Sequence, residues 1–259
     1  MHKLGAIIMA NGEADKLACK VGAAHKALID IEGRSMIERV AEAVQASGAV
    51  DQVVVACRKG GCVAEALAGK IPLAESEDPT FLGGMQAGFN AMPDVDRALL
   101  VTCDMPLLTP EAVRHFADEA RAHTDADMVY AMVEVERTRQ AYPETRRTAI
   151  RLKEGNYTAA GVTVVSRRFV EECGPLVMAA FGARKSKIAM ARILGGSFLV
   201  RFALGMLSVD DVVKRAEELL GCGCATVNLP FAECGFDVDS EADLIAARQS
   251  FCRTRSTVN

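Results

Sequence analysis

The sequence predicts an α/β fold in which a mostly parallel sheet is covered by helices on both faces. Two observations predict it. Short apolar or β-branched runs alternate with helical stretches through the first half of the chain, as parallel strands joined by crossover helices require. The length, 259 residues with about half of them hydrophobic, supports one large α/β domain or two small ones.

Residues 4–9 read as a buried strand, and residues 35–47 as a helix with Met36, Ile37, Val40, Ala41 and Val44 on one face. Residues 52–57 form a β-branched run, hence a strand. A small Ala-rich helix at 60–69 and a short strand at 71–74 follow. Residues 83–92 read as a helix opened by two glycines, and 98–103 as an apolar strand. Thr109-Pro110-Glu111 starts a helix, with a hydroxyl cap and then proline at the first helical position. Ala112, Val113, Phe116, Ala117 and Ala120 form its buried face, and residues 128–133 are the next strand.

The second half is less regular. Residues 148–152 and 161–165 read as strands of a smaller or antiparallel extension, and residues 167–221 as mainly helical. Ser208 caps a helix whose apolar face is Val209, Val212, Val213, Ala216 and Leu220. Residues 225–229 form a short strand, and Ser240-Glu-Ala-Asp243 is a capping box that opens the last helix. No internal repeat, low-complexity tract or interdomain linker is visible.

A formal net charge of −4 offers no global basic field for nucleic acid, so a bound nucleotide is held by a local site. Residues 4–10 lack the flanks and cleavage site of a signal peptide. The apolar run 197–207, interrupted by Arg201, is too short to cross a bilayer. The expectation is a cytoplasmic chain without a nucleic-acid or membrane partner. Of nine cysteines, most sit inside apolar patterns, as Cys57, Cys103 and Cys173 do, and read as reduced buried thiols. Cys222, Cys224 and Cys234 cluster as a zinc or redox site would, but without paired C-x-x-C spacing.

Four segments can carry chemistry. The loop after the first strand, Ala10-Asn11-Gly12-Glu13, stands where parallel sheets bind ligands, and its small residues let backbone N–H groups approach phosphate oxygens. Lys16 and Lys26 add positive charge; the alternative is a surface loop with solvated lysines. Asp104, in Val-Thr-Cys-Asp-Met-Pro, is a carboxylate at the end of an apolar strand. It binds a hard cation such as Mg²⁺ or, alternatively, the N–H groups of its own turn. Asp237 and Asp239 alternate in a short extended segment, so we expect them on opposite faces, with Asp239 either facing Asp104 as a second metal ligand or supporting the next helix cap. Phe81, Gly83 and Gly84 stand at a helix start, where paired glycines admit a base, ribose or phosphate, or else tight helix packing.

In this order the segments resemble the molybdenum-cofactor nucleotidyltransferase-like (MobA-like) family of NTP transferases. The family's Gly-rich loop and basic residue read here as Met9-Ala-Asn-Gly12 and Lys16, followed by His25-Lys26-Ala-Leu-Ile-Asp-Ile-Glu-Gly33. Its metal motif reads Cys103-Asp104-Met-Pro-Leu-Leu-Thr-Pro-Glu111, and its late acidic motif Asp237-Val-Asp239-Ser-Glu-Ala-Asp243-Leu244. Asn11 stands where the family usually has glycine, Glu13 adds a negative charge to the loop, Lys16 replaces the more usual arginine, and His25 replaces proline or aspartate.

The resemblance implies a Rossmann-like three-layer fold of the nucleotide-diphospho-sugar transferase type, with a helical C-terminal insertion. It implies a single NTP-transferase domain over 1–259, with 140–225 a divergent acceptor-side region. The implied reaction moves a nucleoside monophosphate from GTP or CTP to a phosphorylated small-molecule acceptor. It implies Mg²⁺ on Asp104 and Asp239, Lys16 near the departing pyrophosphate, Lys26 near the α-phosphate or acceptor, and Phe81–Gly88 around the base and ribose. Arg184, Lys185, Lys187 and Arg192 either receive an anionic acceptor or form a solvated helix face, and Arg146 and Arg147 have the same two readings. Two rivals share the fold: a glycosyltransferase using a nucleotide sugar, and a non-catalytic nucleotide sensor. A dinucleotide-dependent dehydrogenase is disfavoured, since no G-x-G-x-x-G follows the first strand.

Overall fold

A computed structural model describes residues 3–12, 16–183 and 193–257. Its first strand, β1 (Leu4–Ala10), is buried along its whole length and splits its side chains by parity. Ala6, Ile8 and Ala10 enter one core, and Ile7 and Met9 another. A strand alternates its side chains between faces, so two cores on one strand mean helices on both sides of the sheet.

The strands that complete the sheet are β4 (Gln52–Arg58), β5 (Leu73–Ser76), β6 (Arg97–Thr102), β7 (Met128–Glu134), β8 (Ile150–Leu152), β9 (Gly155–Ser166) and β10 (Cys224–Leu229). Their order is β5-β4-β1-β6-β9-β7-β10, with β8 paired on β9. The pairings β1–β4, β1–β6, β4–β5 and β7–β10 are parallel. β9 runs antiparallel between β6 and β7. The antiparallel expectation for residues 161–165 therefore holds, but the extension does not, because β9 is a 12-residue strand inside the main sheet. Strand neighbours are set by tertiary pairing, which local periodicity does not carry. A small hairpin, β2 (Asp30–Ile31) with β3 (Arg34–Ser35), sits outside the sheet.

One face carries α2 (Met36–Ala46), α3 (Cys62–Leu67) and α5 (Pro110–Ala122), whose Ile37, Val40, Val63, Val113 and Phe116 share a core with Ile8 and Leu99. Ser35 and Glu38 close a capping box on α2, and the Thr109 hydroxyl accepts from Ala112 N–H on α5. Such caps contribute about 1 kcal/mol each. The other face carries α4 (Phe81–Ala91) and a π-helix, Phe169–Cys173, through Met85, Phe89, Phe169 and Val170. Thr80 caps α4 by accepting from Gly83 N–H at 3.1 Å, so the glycines lie inside its first turn rather than opening it. α1 (Lys16–Lys20), α6 (Val135–Ala141), α7 (Gly174–Ala183), α8 (Gly196–Ala203) and α9 (Val209–Leu220) follow in chain order. Ser208 caps α9 as expected, in a capping box with Asp211. The last helix, α10 (Glu241–Thr257), is opened by Ser240, whose hydroxyl accepts from Asp243 N–H at 3.3 Å.

Cys173, Cys222 and Cys224 are buried in the core beneath α4 and Cys234 in the opposite one, all as free thiols. Among the described residues, the group that can hold a metal ion is acidic, and no helix is long and apolar enough to cross a membrane.

Candidate active site

The sheet order reverses at β1, with β4 on one side and β6 on the other. In an open α/β sheet the crevice beyond the strand ends at such a reversal receives ligands. Asn11 and Gly12 leave β1 there, and Asp104 leaves β6 beside them.

Asp104, Asp237 and Asp239 each bring a carboxylate oxygen to within 4.8 Å of the others. Lys26, first residue of a 3₁₀ turn (Lys26–Leu28), stands among them. Its Nζ donates to Asp104 Oδ2 at 2.7 Å and to Asp239 Oδ1. Burial alone lowers the Lys26 pKa, but the charge of Asp104 and the hydrogen bonds to Asp104 and Asp239 outweigh it and hold the ammonium charged. Asp239 is pulled down: the hydrogen bond and charge of Lys26 overcome its burial. Burial first, then the charge of Asp239, pushes Asp237 up to about 6, while Arg147 draws it the other way.

The alternation expected for Asp237 and Asp239 has to be corrected. Side chains two apart in an extended segment share a face, and the intervening ones oppose them. Phe236 and Val238 are fully buried beside Leu244 and Met36, which turns both carboxylates outward together. Val238 N–H donates to the Asp104 carbonyl at 2.9 Å, tying the two acidic segments through the backbone.

The residues present fit a divalent cation on two counts. Asp104 Oδ1 is buried and accepts no hydrogen bond from the described residues, which is costly for a carboxylate oxygen unless a cation meets it. Among the described residues the linked group also holds four carboxylates, Asp104, Asp237, Asp239 and Asp243, against two cations, Lys26 and Arg147. Oxygen-only donors suit a hard ion such as Mg²⁺.

Beside this cluster a cavity of about 620 Å³ opens between the ends of β1 and β4, lined by Gly12, His25, Arg58, Lys59, Gly60 and Cys62 among others. A Cβ on Gly12 would meet none of the described residues within 4 Å, so on their side that backbone is open to a ligand. His25 fixes the loop from behind. Its Nδ1 accepts from Ala27 N–H at 3.1 Å, which leaves the proton on Nε2 to donate to Gly12 O at 3.0 Å. Asn11 is buried and turns away from the cavity, its amide donating to the Thr80 carbonyl.

Phe81 is exposed at the start of α4, but Gly83 and Gly84 are buried. A Cβ on Gly84 would come within 2.6 Å of Asn11 Oδ1, and one on Gly83 within 2.5 Å of Asp78 Cβ. Close packing therefore accounts for both glycines. Ala10 lines the cavity, whereas Lys16 is exposed at the start of α1 and takes no part in the Lys26 ion pairs. Glu13 and the basic group Arg184, Lys185, Lys187 and Arg192 lie outside the described residues.

Residues 6–172 match the MobA-like NTP transferase domain. The chain belongs to that family. The MobA-like match includes Lys26, Asp104 and Arg147 and ends before Asp237 and Asp239. The chain is 27% identical over 125 residues to the "probable molybdenum cofactor guanylyltransferase" of Natronomonas pharaonis, a stretch that spans 46% of this chain and 58% of that relative. A hypothetical transferase structure from Thermus thermophilus is similar over 94% of this chain and all of that one, with a TM-score of 0.78 and 31% identity. A CMP:2-keto-3-deoxy-manno-octonic acid synthetase solved with CTP shares the fold, at a TM-score of 0.64 and 14% identity over 97% of this chain and 99% of that one.

Within the MobA-like domain, two departures from the family pattern have local causes. Asn11 links the first loop to the cap of α4, and His25 caps the Lys26 turn while holding Gly12. Sequence reasoning missed Arg58 and Lys59, a basic pair at the end of the strand beside β1, and the strand position was the available signal. It also missed Asp237 as a partner of Asp239; the i, i+2 spacing was the signal.

Proposed function

We propose that this chain is a nucleotidyltransferase that moves a nucleoside monophosphate from CTP or GTP to a phosphorylated small-molecule acceptor and releases pyrophosphate. The observation that carries the reading is the convergence of Asp104 and Asp239 on Lys26 at the sheet's reversal point, next to an open Gly12 backbone. The two nucleotides reflect the guanylyltransferase relative and the CTP-bound structure of the same fold.

The NTP takes the cavity between β1 and β4, with Arg58 and Lys59 offsetting phosphate charge and the Gly12 loop offering backbone donors. This arrangement moves the base and ribose away from Phe81 and the packed glycines. Asp104 and Asp239, with Asp237 beside them, would hold Mg²⁺, which when bound neutralises phosphate charge that develops as pyrophosphate departs. Lys26 bridges the two aspartates until a cation competes for them, and its fixed positive charge serves the α-phosphate or the acceptor.

An acceptor phosphate, with a second pKa of about 6, is already anionic near neutral pH, so its oxygen attacks without a strong general base. Neutralisation and in-line positioning are what remain for the protein to supply. Residues 140–225, which include β9 beside β6 and β7, form the acceptor side. Cytoplasmic residence is part of the same proposal, since the reaction draws on NTPs and phosphorylated small molecules. The test is a pyrophosphate-release screen with each of the four NTPs, Mg²⁺ and a panel of phosphorylated acceptors. Turnover with CTP or GTP supports the reading; nucleotide binding without turnover across the panel supports a sensor instead.

A further inference from the structure

The acidic segment before α10 is held from behind by a residue distant in sequence. Arg147 lies in the loop after α6, with its side chain only 6% exposed. Its Nη1 donates to Asp237 Oδ1, and its Nη2 to Asp243 Oδ1 at 2.9 Å. The guanidinium carbon lies 4.7 Å from the centre of the Phe236 ring, so the fork is also fixed against the buried side of the same segment.

Asp243 passes this grip on to the site. Its Oδ2 accepts from Ser240 N–H at 2.9 Å, from the Ser240 hydroxyl at 2.6 Å and from Asp239 N–H at 3.3 Å. One carboxylate thus joins Arg147 on one oxygen to the Asp239 backbone on the other. Asp237, Asp239 and Asp104 repel one another at this range, and a short irregular segment has no strand ladder to resist that repulsion. Arg147 supplies both a counter-charge and a two-point anchor, which a guanidinium fork provides and an ammonium does not.

We propose that Arg147 is a positioning residue for the acidic centre. Acting through Asp237 and Asp243, it sets the register in which Asp239 faces Asp104 and so tunes affinity for a divalent cation. This rests on the metal reading given under Proposed function. Arg147 touches neither substrate nor cation and acts through the carboxylates it holds.

The informative variants keep charge or shape while breaking the fork. Arg147→Lys keeps the positive charge and cannot reach both partners. Asp243→Asn keeps an oxygen for the helix cap and turns an amide toward Arg147. Mn²⁺ alone is titrated into each full-length protein by electron paramagnetic resonance, with thermal melting alongside.

Loss of such an outer partner typically weakens metal affinity 10–100-fold, so each variant is expected to raise the Mn²⁺ Kd by about tenfold or more. The double variant is expected to be no weaker than either single one, because both break one link. Arg147→Lys protein that is folded and binds Mn²⁺ as wild type does overturns the inference. Loss of folding in both single variants overturns it too, making Arg147 a stability residue. Asp104→Asn separates the two levels: if wild type and Asp104→Asn bind Mn²⁺ equally, the metal reading itself is wrong.

Discussion

Lys26 Nζ lies 2.7 Å from Asp104 Oδ2, joining two loops 78 residues apart in the chain, and the same nitrogen donates to Asp239. A cation bound to these oxygens therefore competes with an internal ammonium. In Lys26→Met that competitor is gone. We expect Mn²⁺ to bind more tightly than to wild type, while kcat/KM for pyrophosphate release falls about 10²-fold through loss of a charge near the reacting phosphates. Weaker Mn²⁺ binding by this variant would contradict the competition.

Asn11 and Gly84 are a packed pair. Gly84→Ala puts a methyl group 2.6 Å from Asn11 Oδ1 and 2.7 Å from Met9 Cε. Overpacking of this kind costs about 1–3 kcal/mol, partly offset by the better helix propensity of alanine, about 1 kcal/mol. Urea unfolding should show net destabilisation in Gly84→Ala. In the double variant with Asn11→Gly the loss should be smaller than the sum of the two single losses. Strict additivity would mean that the two residues do not press on one another.

Stability should fall in acid partly through α2. The Ser35 hydroxyl first, then the Ser35 backbone N–H, hold the Glu38 carboxylate at about 2 against an ordinary 4.5. A carboxylate depressed by folding contributes fully above its unfolded value and loses that contribution as pH falls through the folded one. The wild-type melting temperature should therefore drop between about pH 4.5 and 2 by more than that of Glu38→Gln, which keeps a capping-box side chain without the charge. Parallel curves would remove Glu38 from the acid response.

Much of this was legible locally. The Thr109-Pro110 start of α5, the Ser208 cap of α9 and the strand-end position of Asp104 are set by residues adjacent in sequence, and each stands where the pattern put it. The long central β9 was not legible, because its neighbours β6 and β7 are chosen by pairing rather than by its own alternation. The role of Arg147 was not legible for the same reason: its side chain is buried and paired, neither solvated nor free for an acceptor, and its partners lie 90 and 96 residues away. Asp237 was misplaced by a misapplied period, and the buried Phe236 and Val238 set it right.

Asp104 remains the residue on which the account turns, since one of its oxygens pairs with Lys26 and the other is buried without a hydrogen-bond partner among the described residues. The direct measurement is Mg²⁺-dependent pyrophosphate release by wild type and Asp104→Asn, with melting temperatures taken on the same preparations. The account predicts a loss of about 10²–10³-fold in kcat at a melting temperature close to wild type. Wild-type turnover by folded Asp104→Asn would contradict it.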